Sequence, residues 1–403
     1  TLQPYASLSG EISGSQLTRV RVQGLERLAL TDEKNQFFFN DIPPGFNHLN
    51  VTNNEYSDSV VIQNIKLTSG ENKNIPVDTH WSYQRRLYFN TMIYGAHLTK
   101  DMYHFPIPLR FDSLPFLSSS SYRLFKSDGN ECEMEVEYFD GASGKSVFWL
   151  CMDTLFANSN SQYVTLHGKS DLNASPSFQS SVFDTANSCV AVWHFSDGME
   201  KKELRDATVN KNDAVLTMAY PNSLLLPGVL GGAYGSPPKN YRDAVVADDP
   251  TFHFQSFTFS SWVKITKALF EQVGYPAIMT KENWSSFTGY FFGAFQSGSD
   301  SIGIRIESGS PHHVSFGEPS IDEWVHVVAT FDGNRLSLYR NGLEIKTKDV
   351  GPVTIQHDST DIKIGYLFNG FVDELRVSNI VRTPDWIRMT YESQKIDQLL
   401  IDY

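Results

Sequence analysis

Along most of the 403-residue chain, apolar and polar positions alternate in short runs, and the runs are separated by Gly, Asn, Asp or Pro. Alternation of period two sets one face of an extended segment against a core. The pattern therefore predicts short strands of sandwiches or barrels rather than helices. Strand-like runs fall at 8–12, 18–22, 35–39, 48–52, 59–62 and 73–77, and the stretches 257–263 and 324–331 alternate most cleanly. Two turns near the end, Asp332-Gly333-Asn334 and Asn341-Gly342, predict a meander of hairpins. The one helix-like segment is terminal, with Thr383 placed to cap it and Pro384 at its first position. No internal repeat is visible, so the units are expected to differ in kind.

Composition agrees with packed β-structure: aromatic residues make up 13% of the chain and charged residues 20%. A chain this long exceeds one hydrophobic core and predicts about two to four domains. The formal net charge of −13 gives an acidic surface that repels phosphate backbones, so nucleic acid is not an expected partner. No apolar stretch approaches the roughly 20 residues that span a bilayer, so no transmembrane segment is expected. The chain begins at Thr1, as expected after a leader has been removed by processing or truncation.

The three cysteines are Cys132, Cys151 and Cys189, too few for a disulfide scaffold. Segments 131–138 and 146–152 read as a hairpin. With Val136 opposite Val147 and Met134 opposite Trp149, Cys132 falls opposite Cys151, which leaves either a strained bridge or two buried thiols. In that register the acidic run Glu131, Glu133, Glu135, Glu137 puts four carboxylates on one face. With Phe148 and Leu150 apolar across from it, a mixed, partly solvated sheet surface is expected.

Asp373 is the most informative single residue. Alternation places it in a row with Phe371, Leu375 and Val377, and a carboxylate in an apolar row must find a cation or strong donors. It either meets an ion or accepts backbone N–H groups, with Asp206 then capping a turn. No nucleophile elbow, zinc-protease helix, phosphate loop or dinucleotide fingerprint is present, and no catalytic residues are expected. His312 and His313 are neighbours on a strand and should point apart. The loop 282–287 carries Trp284 between Asn283 and Ser285, the first choice for a ring that stacks on a ligand; Tyr275, Tyr241 and His312 follow.

Three resemblances organise these readings. Residues 31–45, ending Phe37-Phe38-Phe39-Asn40-Asp41-Ile42-Pro43-Pro44-Gly45, resemble the carboxypeptidase-regulatory-like (transthyretin-like) sandwich, which implies a spacer over 1–79. An ordered series of blocks over 80–188 resembles the DUF2341 family, a bacterial domain of undefined function. The blocks include Trp81-Ser82-Tyr83-Gln84-Arg85-Arg86, Phe105-Pro106-Ile107-Pro108-Leu109-Arg110-Phe111-Asp112 and Glu135-Val136-Glu137-Tyr138-Phe139-Asp140. That family is found beside laminin-G-like domains and with TolQ/ExbB-type components. Over 189–403 the motifs at 260–264, 324–333, 339–342 and 371–379 occur in the order of the laminin-G-like, or concanavalin A-like, jelly roll.

These resemblances imply an all-β fold of three β-sandwich domains in series, the C-terminal one a concanavalin A-like jelly roll with a short C-terminal helix. They also imply a structural Ca²⁺ held by Asp373 with Asp206, Asn210 and Asp213 of the loop 206–214, since hard oxygen ligands suit that ion. In loop 206–214, Ala214 stands where glycine is usual. The strand of alternating carboxylates used by glycosidase relatives is missing. The expected function is non-catalytic: an exported bacterial protein, at the cell surface, outer membrane or periplasm of a Gram-negative cell, binding a polysaccharide or a surface protein. The alternative is a structural subunit of an envelope assembly, and a hydrolase is the third.

Overall fold

A computed structural model of the chain describes residues 4–13, 17–25, 27–53, 59–170, 182–184, 187–197, 203–216, 226–236, 244–272, 274–295 and 301–403. The fold is all-β, with several sheets and, among the described residues, one short α-helix, Pro384–Gln394. Among the described residues no helix is long and apolar enough to cross a membrane.

Three hydrophobic clusters mark three regions. The first gathers Leu8, Val20, Phe37, Phe39, Leu49, Val51 and Ile62. The second gathers Phe89, Phe105, Ile107, Tyr122, Leu124, Phe148 and Leu166. The third and largest holds Trp193, Phe257, Phe259, Tyr290, Phe292, Ile304, Leu336 and Leu375. The third lies between two eight-stranded sheets, whose inward-facing residues alternate with outward-facing ones as a sandwich requires. Its meander turns at Asn341 (φ +50°) and Gly342 (φ +80°), the paired left-handed residues that a two-residue hairpin demands.

The first two regions share a sheet. Ser59–Leu67 pairs in parallel with Tyr83–Phe89, so one nine-stranded sheet runs from Arg27–Leu30 to Glu131–Cys132. The chain end returns to the same sheet, because Ile401–Asp402 adds a strand beside Tyr83–Phe89. The second region and the jelly roll are interlocked as well. The terminal helix, capped by Thr383 with Pro384 in its first turn, puts Met389 into the second cluster. Its Ile387 packs with Val328 and Tyr339 of the jelly roll. Arg388 of the same helix donates to the carbonyls of Ala96 (2.7 Å) and His97 (2.6 Å). A further apolar cluster, with Trp149, Phe183, Val192 and Leu230, fills the junction itself.

The cysteines do not pair. All three are free, and Cys132 stands opposite Leu124 rather than Cys151. The expected hairpin breaks at Glu133, where the chain leaves the nine-stranded sheet for a three-stranded one. The second strand of the pair, Met134–Phe139, then meets Ser146–Leu155 one residue out of the expected register: Met134 opposes Leu150, Val136 opposes Phe148 and Glu135 opposes Trp149. A slip of one residue inverts which face each side chain takes. Glu135 and Glu137 are therefore turned into the junction, not onto a partly solvated surface.

Candidate functional site

Two places concentrate chemistry, one on the outer face of the jelly roll and one inside its junction with the second region. The outer site rests on Tyr290–Phe295 and Ser301–Glu307. Tyr290, Phe292 and Ala294 point into the core, so Phe291 and Phe295 point outward, and Phe291 is paired with Arg305. The Arg305 guanidinium lies 4.0 Å from the Trp284 ring, 5.1 Å from Phe291 and 5.6 Å from Tyr275. Glu282 grips it in a bidentate pair, and Glu307 stands 3.3 Å away. On this base Tyr275 and Trp284 lie side by side, ring centroids 5.5 Å apart and exposed by 42% and 49%. A ring pair with a cation beneath and open faces above is an aromatic platform on a rigid sheet.

The loop that presents Trp284 is tied down by Asp358. Its Oδ2 accepts hydrogen bonds from Asn283 Nδ2 (2.8 Å), Ser286 Oγ (3.0 Å) and Thr288 Oγ1 (2.8 Å). Its Oδ1 accepts from Thr360 N (2.9 Å). Burial works the other way, but these donors hold the carboxyl well below the usual carboxylate range. Burial and the neighbouring Glu282 push Glu307 up to about 7.

Trp284 and Tyr275 thus come together, as neither spacing nor periodicity had joined them. His312 does not join them. It pairs with Ile306, which faces the core, while its neighbour His313 pairs with Arg305 and stacks on Phe295 at 5.6 Å. Tyr241 lies outside the described residues.

The expected calcium ligands do not converge. Asp206 Oδ1 accepts from Val192 N (2.9 Å) and Thr208 N (2.9 Å), and its Oδ2 accepts from Thr208 Oγ1 (2.7 Å) and Asn212 N (2.9 Å). Asp213 Oδ1 accepts from Asp206 N at 2.8 Å, and Asn210 Nδ2 donates to the Val190 carbonyl at 2.8 Å. The loop is closed on its own donors. Asp373 sits elsewhere, with Oδ2 accepting from Val229 N (2.7 Å) and Leu230 N (3.1 Å). Asp206, Asp213 and Asp373 do not form a group of ligands within 4.8 Å, so this donor set does not fit the ion.

Asp373 also leaves the apolar row expected for it. The strand Gly370–Ser378 bulges: Ser260 pairs with Arg376 but Trp262 pairs with Asp373, and Glu374 takes a left-handed φ of +52°. The extra residue resets the alternation, so Val372, Leu375 and Val377 face the core while Asp373 and Glu374 both reach the junction. Opposite, a second bulge lies at Glu137, between the pairs Val136–Phe148 and Tyr138–Val147. Trp193 pairs with Leu375, which brings His194 opposite Glu374.

The result is a buried ionic cluster. His194 Nδ1 lies 2.6 Å from Glu374 Oε1 and 3.8 Å from Glu137 Oε2, while its Nε2 faces Glu135 Oε1 at 3.8 Å. Arg376 holds the other oxygen of Glu374 at 2.6 Å and lies 4.5 Å from the Trp149 ring. Glu137 accepts from Trp149 Nε1 (2.7 Å) and Ser196 Oγ (3.0 Å). Gly231, at φ +39°, packs tightly on this cluster: a Cβ would stand 2.3 Å from both Glu137 Oε1 and Ser196 Oγ. Burial pulls His194 down, but three carboxylates led by Glu374 push it up to about 9. Burial raises Glu135 to about 7, and burial with the Glu374 charge raises Glu137. A cavity of about 200 Å³, lined by Glu135, Glu137, His194, Ser196 and Asp197, opens beside the ring.

Residues 239–388 match the family model of the concanavalin A-like lectin/glucanases superfamily. Solved structures give a more distant likeness. The binding domain of botulinum neurotoxin DC, solved with rat synaptotagmin II, is 17% identical over 52% of this chain and 52% of that one, with a TM-score of 0.41. A botulinum neurotoxin type C structure, of a toxin whose cell entry depends on interaction with two ganglioside molecules, is 16% identical over 52% of each chain, with a TM-score of 0.42. Domain 4 of an extracellular arabinanase from Geobacillus stearothermophilus, solved with arabinotriose, is 16% identical. That match covers 50% of this chain and 97% of that one, with a TM-score of 0.40. The chain spans about half the length of the toxin domains it matches. A search of curated proteins returns no match.

Proposed function

We propose that the chain is a non-catalytic binding protein whose jelly roll recognises a polysaccharide through the Tyr275–Trp284 platform. The observation that carries this reading is the exposed ring pair over Arg305, held in place by Asp358. Sugar rings present apolar C–H faces and polar rims, and adjacent exposed aromatic faces with charged groups at their edge complement both. The matched superfamily includes lectins, which supports the same class of ligand. Glu282 and Glu307 are tied to Arg305 beneath the rings rather than standing free across a cleft, which favours binding over glycoside hydrolysis. An exported location, where such polysaccharides lie, goes with this reading.

The test is a polysaccharide-binding screen with the whole chain and with Trp284→Ala. Binding by the whole chain and a loss of about 10- to 30-fold in Trp284→Ala are expected, the cost of truncating an interface anchor. Binding that survives the substitution unchanged would move the site elsewhere, and no binding to any glycan would remove the reading.

A further inference from the structure

The junction cluster packs four carboxylates, Glu135, Glu137, Asp373 and Glu374, into a buried space. His194 and Arg376 touch them, and Arg110 and Arg205 act on them from further off. Buried charge has to be compensated by protons or by a cation.

The unpartnered atoms show where a cation would go. His194 Nε2 and Glu135 Oε2 are buried without a hydrogen-bond partner. The ring nitrogen and the nearer oxygen of Glu135 face each other at 3.8 Å, too far apart for a hydrogen bond. Two ligands that each stand about 2.1 Å from one tetrahedral ion are about 3.4 Å apart, so a small inward shift of either side chain closes the pair on an ion. On its other side the ring is already oriented as a metal-bound histidine is. Nδ1–H donates to Glu374, Arg376 fixes that carboxylate, and Nε2, where a bound metal would displace the proton, faces Glu135 at the cavity. The cavity brings the Glu137 side chain to the same space and has room for water to complete a coordination shell.

We propose that His194 and Glu135, with Glu137 beside them, bind one divalent first-row transition-metal ion that clamps the second region to the jelly roll. An imidazole nitrogen combined with carboxylates suits zinc, manganese or cobalt, whereas an all-oxygen shell would be wanted for calcium. Glu135 and Glu137 come from the second region and His194 from the jelly roll, so one bound ion would hold both. This proposal is independent of the ring platform, since it uses none of the same residues.

The test uses the whole chain, freed of metal with a chelator and titrated with Zn²⁺ by calorimetry and with Co²⁺ by visible absorption. One saturating site, a cobalt d–d band and a rise in melting temperature with Zn²⁺ are expected. Glu135→Gln, nearly isosteric, keeps the fold and lowers zinc affinity at least 10-fold. Glu374→Gln, which weakens the group orienting the ring, lowers it about 10- to 100-fold and shifts the cobalt band. His80→Ala, an exposed histidine outside the cluster, leaves both signals in place. The proposal is overturned if the whole chain shows no saturable binding of either ion, if Glu135→Gln binds as tightly as the unaltered chain, or if His80→Ala removes the signal.

Discussion

The ring platform and the junction cluster use similar parts for opposite ends. Each has an arginine lying on an aromatic ring and gripped by a glutamate: Arg305 on Trp284 with Glu282, and Arg376 on Trp149 with Glu374. In the platform the tryptophan is half exposed, whereas in the junction it is fully buried. Exposure lets a ring offer its free face to a ligand, and the charges below it serve as a rigid base. Burial turns the same triad into a structural joint, where each uncompensated charge costs stability and each ring packs on both sides. The contrast teaches that a cation–ring–carboxylate triad does not announce its role; solvent access decides it.

The largest expected effect comes from breaking the buried triad. Trp149→Ala removes contacts to Phe183 and His194 and the hydrogen bond to Glu137, and should cost about 3 to 5 kcal/mol in urea unfolding. Trp284→Ala removes the exposed counterpart and should change unfolding by about 0.5 to 1 kcal/mol while abolishing most glycan binding. Equal losses of stability would erase the distinction between the two sites.

Asp358→Ala sharpens the comparison from within the platform. It strips three side-chain hydrogen bonds from the Trp284 loop, so amide exchange over 283–288 should rise. A local cost of about 1 to 2 kcal/mol is expected, with the junction unaffected.

A pH-dependent effect concerns Glu307, whose pKa rises from 4.5 to about 7 in the folded chain. Between those values the folded state holds a proton that the unfolded state releases, so stability falls as pH rises from about 4.5 to about 7. Glu307→Gln should therefore raise the melting temperature at pH 8 and leave it unchanged at pH 4. A gain of equal size at both would show that ionisation is not the cause.

Much of the jelly roll was legible, because alternation at 257–263 and 324–331, the Asn341-Gly342 turn and the Thr383–Pro384 cap are local signals that the tertiary fold preserves. Trp284 was legible for a similar reason: a tryptophan in a loop between polar residues has little core to enter. Its partnership with Tyr275 and Arg305 was not, since it arises from strand pairing between distant segments. The junction cluster was hidden by three local irregularities. The departure at Glu133 slipped the register by one residue, and the bulges at Glu137 and Glu374 each reversed a face. Those bulges also explain why Asp373, expected among apolar neighbours, instead meets Val229, Leu230 and the carboxylates of the junction. The parallel pairing of Ser59–Leu67 with Tyr83–Phe89 joins two regions that the sequence resemblances had set apart.

Glycan recognition at the platform is tested most directly by indole N–H signals in a two-dimensional NMR spectrum as a screened oligosaccharide is added. The chain has 7 tryptophans, among which Trp284 alone combines an exposed ring with a place on the platform. The signal of Trp284, assigned by its loss in Trp284→Phe, is expected to shift and saturate while that of buried Trp149 stays fixed. Saturating shifts confined to other tryptophans, or none at Trp284 under conditions where the sugar binds, would contradict the account.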